Sequence, residues 1–83
     1  MKDSLRNKVV IITGASSGIG RSIALESAGR GATVILIARR KDRLEEIAAE
    51  ARELSGAEAY VFPTDMGKPD DIEKTFDEIT KQV

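Results

Sequence analysis

The stretch VVIITGASSGIG, Val9 to Gly20, constrains this chain more than any other. A β-branched apolar run gives way to glycines spaced G-x-x-x-G-x-G, and a helical pattern follows at once. Val9 to Thr13 is apolar without alternation, which predicts a strand buried on both faces, as in a parallel sheet. A helix is expected from about Ile19 to Ala28, with Ile19, Ile23, Ala24 and Ala28 on its inner face. The segment GRGA, Gly29 to Ala32, then supplies glycines as C-cap and turn.

The pattern repeats. Thr33 to Ala38, TVILIA, reads as a second buried strand. A helix from about Lys41 to Leu54 follows, with Leu44, Ile47, Ala48, Ala51 and Leu54 recurring at threes and fours. SGA at Ser55 to Ala57 stops it, and Ala59 to Pro63 forms a third strand. Pro69 suits the first turn of a third helix, whose stripe is Ile72, Phe76, Ile79 and Val83. The order β-α-β-α-β-α leaves room for crossovers between parallel strands. The predicted fold class is therefore α/β, a Rossmann-type doubly wound parallel sheet, of which this is the first half. With 83 residues, the chain holds one domain.

A turn that receives phosphate needs close backbone approach, and side chains obstruct it. Amides of the first helical turn point at the anion, and the helix dipole adds partial positive charge. Gly14 lets the chain leave the strand, while Gly18, Ile19 and Gly20 bring the helix start close to a pyrophosphate. Ser16 and Ser17 offer hydroxyls for phosphate or for capping. The bland alternative is a glycine-rich β–α turn without ligand; the flanks on both sides favour the ligand. The spacing differs from the common G-x-G-x-x-G fingerprint and from the P-loop, and no Lys follows the last glycine.

TGASSGIG resembles the T-G-x-x-x-G-[IL]-G signature of the short-chain dehydrogenases/reductases. The resemblance continues through GATVILIARR, the Leu of RRKDRLEE, and PTDM. It implies a dinucleotide-binding oxidoreductase that moves hydride between a nicotinamide cofactor and a carbonyl or alcohol carbon. Ala38 stands where relatives using NAD commonly carry Asp, about 20 residues after the glycines. Arg39 and Arg40 follow, and a guanidinium can pair with a dianionic 2′-phosphate. The expected cofactor is thus NADP(H), with Arg39 as chief ligand, Arg40 second, and Ser16 as a further contact. The resemblance also implies that Asp65 bonds the adenine amino group and that Met66 supplies a backbone amide. The competing readings are a solvated charge run for the arginines and a turn-stabilising role for Asp65.

Tyr60, the single tyrosine, lies in a predicted strand with Thr64, not Lys, four residues on. It reads as packing and not as the family's catalytic acid/base. No catalytic residue is assigned. The absence of Cys and His removes thiolate chemistry, a triad base and the commonest metal ligand. The formal charge of −1, with no basic face, argues against nucleic acid. No apolar run approaches a membrane span and no signal peptide is evident, so the chain reads as cytoplasmic. The ending FDEITKQV lacks a helix stop, which suggests the N-terminal portion, residues 1–83, of a longer enzyme, inactive by itself. A strand order of 3-2-1 would leave the first strand unpaired on one side and prone to self-association. The rival readings are a stand-alone nucleotide-binding regulatory module and a structural fragment without affinity.

Overall fold

Short runs rich in β-branched residues pair in parallel because each is flanked by a segment long enough to cross the sheet as a helix. The computed structural model describes residues 4–14, 17–55 and 58–82. Its elements are β1 (Val9–Thr13), α1 (Gly18–Gly29), β2 (Thr33–Ala38), α2 (Lys41–Ser55), β3 (Ala59–Pro63) and α3 (Pro69–Gln82). The sheet order is β1-β2-β3, with Val10 opposite Val34, Ile12 opposite Leu36, and Leu36 opposite Val61. This is the predicted β-α-β-α-β-α arrangement. The predicted stops at Gly56 and Ala57 and the stripe position Val83 lie outside the described residues.

Alternation along β2 divides the core. Val34, Leu36 and Ala38 face α1 and α2, joining Ala24, Ala28, Leu44, Ile47, Ala48 and Ala51. Ile35 and Ile37 face the other way, with Phe62 of β3 and Ile79 of α3, and Tyr60 packs beside them. Helices thus cover both faces of the central strand, as expected for a doubly wound layer.

Expectations about burial fail in four elements. β1 is not buried on both faces: Val9 is 50% and Ile11 45% exposed. It is an edge strand, and α3 contributes its buried Ile79 to the cluster formed by β2 and β3, on the far side of the sheet. On α1 the inner stripe is Gly20, Ala24, Ser27 and Ala28, while Ile19 is 77% exposed and Ile23 also lies outside. Small side chains let the helix lie close to the sheet, and the isoleucines fall one position to the side. Leu54 and Phe76 are exposed as well, whereas Thr75 is buried in α3. Thr75 is accommodated because its hydroxyl pairs with that of Thr64 at 2.6 Å, which satisfies both buried groups.

The helix ends follow local chemistry. Arg30, not a glycine, is the C-cap of α1. Gly31 follows with φ of 97°, its amide bonding Ala28 O and the Ala32 amide bonding Ser27 O. That pair of bonds is the Schellman ending, and the left-handed residue in it favours glycine. Pro69 opens α3 with Asp70 and Asp71 in the first turn and Lys81 in the last, all in keeping with the helix dipole. Among the described residues, no helix is long and apolar enough to cross a membrane.

Candidate functional site

Parallel pairing brings the C-terminal ends of all the strands to one edge. There the Gly14 amide donates to Ile37 O at 2.9 Å, and the Thr64 amide to Ala38 O at 2.8 Å. The backbone after β1 therefore stays locked to β2, and the backbone after β3 does the same. In doubly wound sheets this edge is where ligands are received.

Gly14 leaves β1 with φ of 68°, a conformation that strains any residue with a Cβ. The Ser17 amide donates back to Gly14 O at 3.1 Å. Ser17 then caps α1, its hydroxyl accepting from the Gly20 amide at 3.0 Å. The Arg21 amide donates to Ser17 O, and no described residue accepts from the amides of Gly18 and Ile19. Such orphan donors at a helix start attract anions. A Cβ built on Gly14 or Gly18 would meet no described atom within 4 Å. At Gly18, where φ is ordinary, neither strain nor crowding among the described residues demands glycine. That space leaves the backbone accessible from outside.

Beyond β2 the chain passes from buried Ala38 to Arg39, whose side chain is 78% exposed. Arg39 Nη2 donates to Asp65 Oδ1 at 3.3 Å, and the Gly67 amide donates to the same oxygen at 2.9 Å. The Gly67 hydrogen bond, then Arg39 and Lys68, hold the Asp65 carboxyl below its ordinary value of 3.8, against a partial desolvation that raises it. Arg40 donates to Asp42 in the first turn of α2 at 3.1 Å, which lowers the Asp42 pKa. That carboxylate also offsets the unfavourable cation at a helix start. Met66 is exposed beside Asp65.

Of the residues singled out from the sequence, Gly14, Ser17, Gly18, Ile19 and Gly20 lie on one turn, and Arg39 and Asp65 are in contact. Arg40 pairs with Asp42. Ser16 lies outside the described residues. Ile19, expected both in the turn and on the packed face of α1, keeps only the first position. Tyr60 is half-buried beside Ile35 and Ile37, and its hydroxyl donates to Glu58, which pushes its pKa up. Sequence reasoning missed Gly67, which holds the Asp65 carboxylate, although D-x-G is a recognisable Asx-turn spacing. Grooves of about 340 Å³ and 250 Å³ are lined by Leu25, Glu50, Glu53 and Leu54, and by Pro63, Asp71, Lys74, Thr75 and Glu78.

The fold and this edge define a Rossmann-like, doubly wound α/β layer. A family model described as short chain dehydrogenase matches residues 8–83, and the chain belongs to that family of oxidoreductases. It is 51% identical over 76 residues to 11-beta-hydroxysteroid dehydrogenase 1A of Arabidopsis thaliana, covering 92% of this chain and 22% of that protein. L-sorbose reductase of Gluconobacter frateurii, solved with NADPH and L-sorbose, superimposes with a TM-score of 0.90 at 34% identity, over 99% of this chain and 31% of that one. An NAD+-bound xylitol dehydrogenase gives a TM-score of 0.89 at 29% identity, over 95% and 30%. The chain thus spans about a fifth of the length of its Arabidopsis relative. The two solved neighbours bind nicotinamide cofactors, one phosphorylated and one not.

Proposed function

We propose that this chain is the N-terminal, NADP(H)-holding part of a longer short-chain oxidoreductase. In that enzyme the nicotinamide, when bound, carries hydride to or from a carbonyl or alcohol carbon. Gly14, Ser16, Ser17, Gly18, Ile19 and Gly20 hold the pyrophosphate through backbone amides and hydroxyls. Asp65 and Met66 receive the adenine. Arg39, with Arg40 behind it, receives the 2′-phosphate. One observation carries the choice of NADP(H) over NAD(H): a buried alanine ends β2, and an exposed guanidinium stands directly after it. Without an acid there, the ribose hydroxyls lose a partner and the 2′-phosphate loses a repulsion.

The test is a fluorescence titration of NADPH and NADH on the intact enzyme at near-physiological salt, repeated with Arg39→Ala. A charge-assisted hydrogen bond contributes roughly 1.5–3 kcal/mol, or about 10- to 150-fold in affinity. Exposure and salt draw the value toward the lower end. NADPH binding weakens selectively in the variant, and NADH binding hardly changes. Equal affinity for the two cofactors in the unmutated enzyme would sink the reading.

The 83-residue chain by itself is read as inactive. Tyr60 packs in the sheet with its hydroxyl engaged by Glu58, and general acid–base help worth 10²–10⁴ in rate has no other donor in this reading. A panel of ketones and hydroxysteroids with NADPH or NADP+ gives no protein-dependent absorbance change. The exposed edge of β1, with Val9 and Ile11 uncovered, supports self-association of this chain.

A further inference from the structure

Arg39 and Asp65 meet across the ends of β2 and β3. The carboxylate side of that pair is fixed: its Oδ1 also accepts the Gly67 amide at 2.9 Å, and the Lys68 amide donates to Asp65 O at 3.0 Å. The guanidinium side lies mostly in solvent and, among the described residues, is held by one long bond of 3.3 Å. The geometry is a loose cation resting on an anchored anion. Any phosphate that engages Arg39 shares it with that carboxylate.

We propose that Asp65 is the resident counter-ion of Arg39 and thereby limits how strongly the chain prefers 2′-phosphorylated adenine nucleotides. This rests on the reading of Arg39 given above. Asp65 acts through Arg39, so it is a positioning residue for cofactor choice, apart from any contact it makes with adenine. Adenine is common to both cofactors, so such a contact cancels in the ratio of their affinities. Competition by an exposed ion pair is modest, and the ratio shifts by about two- to fivefold when the pair is removed.

The experiment is calorimetric titration of 2′,5′-ADP and 5′-AMP into the intact enzyme, Asp65→Asn, Arg39→Ala and the double variant. Asparagine keeps an oxygen for the Gly67 amide and removes the charge; Asp65→Ser serves if the first variant does not fold. Asp65→Asn raises the 2′,5′-ADP to 5′-AMP affinity ratio about two- to fivefold, and the gain shrinks as salt is raised. In the Arg39→Ala background the same substitution leaves the ratio unchanged. A ratio that stays level or falls in Asp65→Asn overturns the proposal. So does an equal rise with and without Arg39, which would mean direct repulsion of the phosphate. If the unmutated enzyme shows no preference for 2′,5′-ADP, or Arg39→Ala does not reduce it, the reading of Arg39 fails first. A preference that depends on Arg39 and ignores Asp65 defeats the counter-ion role alone.

Discussion

β1 and β2 are written in nearly the same alphabet, VVIIT and TVILIA, and are paired in register along their length. Yet Val34, Ile35 and Leu36 are wholly buried, while Val9 and Ile11 are about half exposed. Position in the sheet makes the difference. Among the described residues, β2 has a strand on each side and helices over both faces, whereas β1 has one neighbour and one covered face. The two strands also do different work. β2 holds the layer together by burial, and β1 delivers a tightly specified turn, with its left-handed Gly14 and capped helix start.

A pair of truncations followed by chemical denaturation tests this difference most directly. Leu36→Ala removes a fully buried side chain and costs about 2–5 kcal/mol. Ile11→Ala removes one already half in water and costs about 1 kcal/mol or less. Equal costs would mean that β1 is covered in solution, by self-association of the chain or by a further part of a longer enzyme.

The next effect is at the turn. Gly14→Ala forces a Cβ into a positive φ and destabilises by roughly 1–2 kcal/mol. Gly18→Ala meets no described neighbour and leaves the melting temperature unchanged or slightly raised, while dinucleotide affinity falls. Should Gly18→Ala bind as well as the unmutated protein, its open space is not a ligand cradle.

Ser17→Ala comes third. Losing the hydroxyl that accepts from Gly20 costs about 1 kcal/mol, and Ser17→Asn restores most of it. A silent Ser17→Ala would show that the start of α1 is held by packing instead.

The smallest effect is pH-dependent. Asp65 has a folded-state pKa below its ordinary 3.8, so its contribution is present above that value and is lost as pH falls through the folded value. Acid titration of stability below about pH 4 is therefore slightly flatter in Asp65→Asn than in the unmutated chain. Identical profiles would mean that the Gly67 and Arg39 contacts do not persist in solution.

The bounds of β1, β2 and β3 follow from the sequence because they rest on local facts. An apolar run, a glycine that alone tolerates a positive φ and a proline at a first helical turn act over a few residues. The glycine-rich turn was legible for the same reason, since capping and orphan amides belong to one short segment. Gly67 is equally local, two residues after Asp65 in a D-x-G spacing. Placement in space, by contrast, governs partners far apart in the chain. Arg39 and Asp65 are 26 residues apart, and no periodicity announces that parallel strands will set them side by side. Ile19 and Ile23 read as core because they are apolar, but close packing against the sheet selected Gly20, Ala24 and Ala28. Val9 and Ile11 have the composition of a buried strand, and burial depends on neighbours that composition does not name. Pattern along the chain determines which elements form; which faces are covered, and which charges meet, is settled by how those elements are placed in space.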